Sequence, residues 1–598
     1  MPRYALALLL LATLLALACA PREAPTPTQP RAGTTASPQP GGATPSPTAT
    51  ATPEVGLAPF PETWVANRPK LFTPGEIRRG GSFTAEFDGD PPHFDPDLTT
   101  SYYMLGAIGP VHNRLLRAKL GVEMNPYSPE LVPDLAERWD VLDGGLRYVF
   151  HLRRGVRWQE SPLYDVPGVE GRELTCADVA FNFQRMKTKG TTARGFLVTA
   201  VDTFSCTGDA TFEVRLSEPD PGFLPNLGSV YAMIVAPEAV EKDGDLKNLA
   251  LGTGPFLLKE FKPKTSLTYE RNPSYYEAGV PYLDEYRVVI IPEESSALAA
   301  FRGGQLEYYR TNSVEIIQSV RQTEPSTVIH GLQLPSSSFH VAFNLTKEPW
   351  SNPDVRRAVS LAMNRQEMND LVYDGQGATL ALGIPWSAAF DQRPGPDAFG
   401  PYYQYDPARA RELLARAGYP NGIPGTFEFV YYPYGDDRVQ QSEMIQQYLA
   451  AIGINVSVQR LDYGVWTQQF LGQQWKDLAL GFTVPAGGMA LGNDWTYELM
   501  RCGGTKNTWR ICDPALDQVL QQTRSETDPA KLKQLFRQVW DLETDQVYRA
   551  YVPQETRYVF WRPWIRNAIG NSGYRWDANT YGSFHVAYVW RDDPAKYR

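Results

Sequence analysis

Positive charge is in short supply in this chain. Its 598 residues carry 57 Lys and Arg against 67 Asp and Glu, a formal net charge of -10. No basic run offsets that balance, so a nucleic-acid partner, which needs a basic face, is excluded. Histidine is sparse too. His93, His112, His151, His330, His340 and His585 stand singly, none three or four residues from another His or Cys. No metal-ligand spacing exists, and neither a metal nor another cofactor is expected. The sequence also lacks a Gly-x-Ser-x-Gly nucleophile elbow and a phosphate-loop pattern. Gly252-Thr253-Gly254-Pro255 is glycine-rich but runs into a strand pattern, and reads as a tight turn. Carboxylates are abundant, but sequence alone does not set two across a cleft, so a hydrolase of the glycosidase kind stays open without support.

Beyond the first residues there is no apolar run long enough to cross a bilayer, which takes about 20 residues. The opening run, Ala5 to Ala18 after Arg3, is shorter than that and ends in Leu15-Ala16-Leu17-Ala18-Cys19. A charged start, a short apolar core and a small-residue exit describe a secretory signal. Small Ala18 before Cys19 resembles the lipobox of bacterial lipoproteins, in which the cysteine receives lipid and becomes the mature N-terminus. Residues 20–75 are mostly Pro, Thr, Ala, Ser and Gly, without apolar period. Such a segment does not bury enough surface to offset its ordering entropy. As a flexible stalk it spans on the order of 40 Å. Signal, lipid site and stalk together predict an exported protein held to a membrane through Cys19.

If Cys19 is lipidated, four cysteines remain, an even number in an exported chain. Three connectivities are open to them; the pairs close in sequence, Cys176–Cys206 and Cys502–Cys512, are expected. From about residue 76 strands and helices alternate, which makes the chain α/β, and its length calls for more than one lobe. Tyr148, Phe150 and Leu152 continue an alternation begun at Leu146, the period of a half-buried strand. Phe212-Val214-Leu216, Phe339-Val341-Phe343 and Ile454-Val456-Val458 repeat it. Helix starts are marked by Asn or Asp followed by Pro, at Asn352-Pro353, Asp406-Pro407, Asp513-Pro514 and Asp528-Pro529. Thr175 with Asp178 forms an approximate capping box.

Several blocks fall in the order of one family. They are Gly80-Gly81-Ser82-Phe83-Thr84, then Pro92-His93-Phe94-Asp95-Pro96, and the run Leu131-Val132-Pro133-Asp134-Leu135-Ala136-Glu137-Arg138-Trp139. Gly252-Thr253-Gly254-Pro255-Phe256 leads to Asn272-Pro273-Ser274-Tyr275-Tyr276, and Val355-Arg356-Arg357-Ala358-Val359 continues to Asn364-Arg365. In these the chain resembles the extracellular solute-binding proteins of family 5, the peptide and nickel receptors of ABC-type importers, from about residue 78 to the end. The resemblance implies a two-lobed periplasmic-binding-protein-like fold of the class II, cluster C type, with an extra subdomain in lobe I. Lobe I would take 76–115, 252–332 and 560–598, the inserted subdomain 116–251, and lobe II 333–559. It also implies no catalysis. A monomer would capture an oligopeptide or dipeptide between closing lobes and pass it to a permease served by ATPase subunits.

In peptide-binding relatives a strand and loop of lobe II carry an Asp that pairs with the peptide amine. The matching segment here runs Leu478 to Pro485 and includes Phe482 and Val484, but Ala486-Gly487-Gly488-Met489-Ala490 stands where relatives have Asp-Pro. The nearby acid is Asp494, in Asn493-Asp494-Trp495. Either Asp494 takes the amine-pairing role or the ligand has no such amine. Trp386, Phe482, Trp495 and Tyr102 lie in segments that face the cleft in relatives. His93 and Asp90 precede the Asp95–Pro96 turn as loop residues within range of ligand. The missing Asp-Pro and the many Trp and Tyr leave an oligosaccharide receptor of the same fold open. An exported hydrolase or a surface sensor stays open as well.

Overall fold

A computed structural model describes residues 77–597 except 100, 120–129, 189–191, 312, 333–337, 376, 378–383, 385, 393, 433–435, 484–492, 505–506, 527, 556 and 568–582. Cys19, the stalk at 20–75 and Val484 lie outside the described residues.

Strand β1 (Ser82–Phe87) leads to helix α1 (Tyr102–Ile108). The chain then builds a separate antiparallel sheet from β2 (Ala136–Leu142), β3 (Arg147–Leu152), β4 (Val201–Gly208) and β5 (Thr211–Leu216). Its order is β2-β3-β5-β4, and α2 (Cys176–Lys187) packs on β4 and β5. The chain returns with β6 (Phe256–Lys262), β7 (Ser266–Arg271) and β8 (Glu285–Ile290), giving a sheet of order β1-β8-β7-β6. There β1 runs parallel to β8 and the other pairs are antiparallel. One apolar core joins these two sheets, with Phe83, Phe150, Phe212, Tyr269 and Tyr286 inside it. Leu146 departs from the alternation expected of it: Gly144 and Gly145, at φ 67 and 87, turn the chain there, and Leu146 stays 37% exposed ahead of β3.

After β9 (Tyr308–Thr311) and β10 (Val328–Leu332) a second core begins. Its elements are β11 (Ser338–Phe343), α3 (Pro353–Ala362), α4 (Arg365–Tyr373), α5 (Pro407–Arg416), β12 (Thr426–Tyr431) and α6 (Asp436–Ala451). Then come β13 (Asn455–Arg460), β14 (Leu478–Thr483), α7 (Asn493–Met500), α8 (Pro514–Ser525), α9 (Pro529–Gln546) and β15 (Arg549–Tyr551). The sheet order is β13-β12-β14-β11-β15. Strand β12 is parallel to β13 and β14, and β11 is antiparallel to β14 and β15. Finally β16 (Arg557–Trp561) slots between β9 and β10, antiparallel to both. Apolar residues from 339 to 552 fill the second core and none of them enters the first.

The helix starts marked in the sequence are real caps. Side chains of Asn352, Asp406, Asp513 and Asp528 each accept a backbone N–H of the first turn, with Pro at the next position. Thr175 and Asp178 make the reciprocal capping box. Disulfides join Cys176 to Cys206 and Cys502 to Cys512. The first ties the start of α2 to β4, and the second closes the connection between α7 and α8.

The motif blocks turn out to be joints. Gly252 and Gly254 lie against the 110–112 backbone so closely that a Cβ would come 2.2 Å from the Val111 carbonyl oxygen at Gly252 and 2.5 Å from the Val111 carbonyl carbon at Gly254. Glycine is required there by space, and Gln159 seals the joint, donating Nε2 to the carbonyls of Gly254 (3.0 Å) and Phe256 (2.8 Å). Asp134 accepts from Asn113 Nδ2 (2.8 Å), Tyr276 Oη (2.7 Å) and the Arg114 N–H (3.0 Å), so two distant blocks meet on one carboxylate. Arg356 spends its guanidinium on the carbonyls of Trp350, Ser351, Gln546 and Val547, and Arg365 on those of Ser360, Tyr403 and Tyr551. Buried arginines used this way satisfy carbonyls that helix ends and loops would otherwise leave unpaired.

Candidate ligand-binding site

In open α/β sheets, ligands bind outside the carboxyl ends of parallel strands. In the second core these are the ends of β12 and β14, at Tyr431 and Thr483. Helix α6 starts shortly after the first of these ends, at Asp436. Strand β11 begins on the same edge, since Ser338 pairs with Thr483 and Phe339 with Phe482. In the first core β1 ends at Phe87, and Asp88, Gly89 and Asp90 lead on toward α1.

Two chain crossings connect the cores, from β10 to β11 and from β15 back to β16. Their flanks are paired, Leu332 with Arg557 on one side and His340 with Tyr551 on the other. Arg438, in the first turn of α6, grips this hinge. It is 1% exposed in its side chain; Nη1 donates to Tyr373 Oη (2.8 Å) and Gln441 Oε1 (2.6 Å), and Nη2 pairs with Glu555 of the returning crossing. Its guanidinium lies 3.5 Å from the ring centroid of Phe339, at the start of the outgoing strand. The Tyr373 hydroxyl passes on to Asp437 (3.0 Å), and Gln441 Nε2 donates to the Pro553 carbonyl (2.8 Å). Burial disfavours the Arg438 cation, but Asp437, Tyr373 and Glu555 outweigh it and raise its pKa above the usual arginine range. Nothing in the residue pattern had singled out Arg438, Tyr373 or Glu555. Their one sequence signal is the placement of 436–438 just after a strand end.

In the first core Arg310 stands between Glu86 (3.2 Å) and Asp88 (3.0 Å), and Tyr103 donates its hydroxyl to Asp88 (2.9 Å). Burial, opposed by Arg310 and helped by Asp88, raises the Glu86 pKa. The loop before α1 is fixed from below. Asp95 accepts from Arg185 (2.6 Å) and the Leu246 N–H (2.9 Å), while Asp97 accepts from Arg185 and Arg194, both at 2.6 Å. Burial opposes the Asp97 charge, yet Arg194 and Arg185 hold its pKa below the usual carboxylate range.

The residues singled out in the sequence have varied surroundings. His93 is half-buried and its Nδ1 accepts the Asp95 N–H at 3.2 Å, so the ring is a turn element. Asp90 accepts the Lys264 N–H at 2.7 Å and braces the loop after β1. Trp386 opens a short helix, Trp386–Ala389, and leans half-buried on the second core. Tyr102 is the first residue of α1, Phe482 lies in β14, and Asn493, Asp494 and Trp495 begin α7; their side chains lie outside what is described. Among the described residues no group of three or more His, Cys, Asp or Glu is set to hold a metal ion.

Residues 130–507 match the family described as bacterial extracellular solute-binding proteins, family 5. The chain belongs to that family. Among family 5 relatives, di/tripeptide-binding protein 1 of Pseudomonas aeruginosa is 26% identical over 501 residues, covering 79% of this chain and 88% of that protein. Of solved structures, the periplasmic binding protein DppA of Helicobacter pylori in complex with the peptide STSA superposes with a TM-score of 0.69 at 21% identity, over 87% of this chain and 99% of that one. AgaA from A. tumefacien R10, in complex with agropinic acid, gives 0.69 at 20% identity over 86% and 99%. The family is one of solute-binding proteins and not of enzymes, and its fold is the two-lobed one built here from two cores and a paired hinge.

Proposed function

We propose that this chain is the exported, lipid-anchored receptor of an ABC-type importer and that it captures a short peptide between its lobes. Support for the peptide comes from the family 5 match together with a relative named for di- and tripeptides that aligns over 88% of its own length. Support for export and anchoring comes from the apolar run ending at Cys19 and from the stalk at 20–75. In this reading lobe I uses 76–115, 252–332 and 560–598, with 116–251 inserted, and lobe II uses 333–559. Tyr102, His93, Trp386, Phe482, Val484, Asn493, Asp494 and Trp495 line the closed cleft, with Asp494 toward the peptide amine. Closing about the hinge, not bond-making, is the working step, and the closed form is what permease and ATPase subunits receive from this monomer.

Isothermal titration against di-, tri- and tetrapeptides tests the ligand class. Saturable one-to-one binding is expected, weakened at least tenfold by Asp494→Asn. Failure with every peptide, alongside tight binding of an oligosaccharide, overturns the peptide assignment. Labelling with radioactive palmitate tests the anchor, and a Cys19→Ser chain that still takes up label overturns it.

A further inference from the structure

Among the described residues, an ion pair joins parts of the chain that belong to different cores. Arg524 Nη2 lies 2.8 Å from Glu218 Oε1. Glu218 follows β5, between Leu216 of the first core and Asp220, and Arg524 occupies the last turn of α8, beside Leu520 of the second. Neither residue is on a hinge strand. The two are linked covalently only through the crossings, so their contact exists only at an interlobe angle near the present one.

Both partners stand on firm ground. Ser217 is tied to the Ala200 carbonyl through its N–H (2.9 Å), and the Asp220 carboxylate accepts the Gly222 N–H (2.8 Å). Pro219 and Pro221 fix two φ angles of the same turn. Arg524 stacks on Tyr497, 4.8 Å from its centroid, and Tyr497 donates its hydroxyl to Gln521 (2.9 Å) one turn earlier on α8. The Arg524 side chain is 16% exposed and Glu218 43%, so the arginine is held ready and the carboxylate comes to it from solvent. Tyr497 belongs to α7, the helix that opens with Asn493-Asp494-Trp495, and lies three and four residues beyond Asp494 and Asn493. Residues at that spacing share a helix face.

We infer that Glu218 and Arg524 form a latch that holds the lobes closed, and that Tyr497 couples this latch to the ligand segment of α7. Arg524 and Tyr497 are then positioning residues for capture. Rotation of α7 by a bound ligand moves the ring on which Arg524 rests, and loss of ligand loosens the latch. The coupling to ligand rests on the assignment of residues 493–495 to the cleft, whereas the latch rests on the ion pair alone. A half-exposed pair of this kind shifts an equilibrium about two- to fivefold at low salt. The shift shrinks as salt screens it.

The test reads closure without ligand, so it survives if no peptide binds. Fluorophores placed at the exposed positions Val141 and Val465, through Val141→Cys and Val465→Cys, report the interlobe distance by single-molecule energy transfer. Glu218→Arg and Arg524→Glu are each expected to lower the closed fraction two- to fivefold in 20 mM salt. The double exchange should restore it, and 0.5 M salt should erase the differences. Tyr497→Phe should keep the closed fraction and Tyr497→Ala should lower it. Thermal midpoints should stay together, since the pair is outside both cores. An unchanged closed fraction in the single variants, or no recovery in the exchange, overturns the latch. If the latch holds but adding trialanine at saturation leaves the Tyr497→Ala deficit no larger than in free protein, the coupling to α7 is overturned.

Discussion

The hinge grip of Arg438 lends itself to a quantitative test. Replacing it by Met keeps much of the volume against Phe339 but removes four hydrogen-bonded or ionic partners at once: Tyr373, Gln441, Glu555 and Asp437. Glu555 is 11% exposed in its side chain, so its charge is left poorly solvated. Removing one partner of a buried ion pair costs about 3–5 kcal/mol, most of it the stranded charge. Replacing both partners by groups without charge is close to neutral by comparison. Arg438→Met is therefore expected to destabilise by about 3–4 kcal/mol, and Arg438→Met with Glu555→Gln to recover about 2 of these. Urea denaturation followed by tryptophan fluorescence measures both, with the midpoint shift read at constant slope. Because Glu555 lies on the returning crossing and Phe339 at the start of β11, the single variant should also broaden the interlobe distance distribution. A loss under about 1 kcal/mol for Arg438→Met, or a double variant no more stable than the single, refutes the grip as argued.

Acidification should weaken the fold through two histidines. Burial holds His112 and His585 at about 4 against an ordinary value near 6.5, so the folded state keeps them neutral while the unfolded chain takes up protons. Their stabilising share is complete above pH 6.5 and falls away as pH drops toward 4, on the order of 2–3 kcal/mol each. His112→Gln should show a shallower loss between pH 6.5 and 4 in denaturation curves, and an unchanged slope would refute it. The disulfides differ in loop length, 30 residues for Cys176–Cys206 and 10 for Cys502–Cys512. Paired Cys→Ser changes should cost about 4 and about 3 kcal/mol in that order, checked by thermal melts; the reverse order would count against the loop-entropy account. Gly254→Ala forces a methyl onto the 110–111 backbone and should cost about 2–4 kcal/mol, where a soluble variant within 0.5 kcal/mol of the parent would show that the joint yields.

Local rules carried much of this fold into view. Asn352, Asp406, Asp513 and Asp528 announce their helices because capping is a short-range bargain between a side chain and the next two residues. The alternation at Tyr148, Phe150 and Leu152 works for the same reason, and it fails at Leu146, where two left-handed glycines turn the strand away. Blocks such as Asp134 with Tyr275 and Tyr276 stand out in sequence, but their use is joinery: residues 134 and 276 meet on one carboxylate, and nothing in either block alone tells that. The site was less legible. Phe482 and the start of α7 are assigned to the cleft by the resemblance alone, whereas Arg438, Tyr373 and Glu555 come from three separate stretches and acquire meaning only once the fold brings them into contact. The Glu218–Arg524 contact is hidden more deeply still, since it depends on an angle between lobes that no local pattern encodes.

The place of β16 between β9 and β10 bears on how the molecule is made. Those two strands are complete by residue 332, yet the strand that separates them arrives only at 557–561, after the whole second core. A chain emerging from its N-terminus therefore carries two unsatisfied strand edges through the synthesis of more than 200 residues. Closing them is a contact of long sequence separation, slow to form and open to wrong partners meanwhile. The second core waits too, since β11 meets β15 only at Arg549–Tyr551, but it lies in one continuous stretch that is complete before β16. It should mature first, leaving the N-terminal part dependent on the last strand, so that a product truncated before residue 557 keeps a folded second core beside an aggregation-prone remainder.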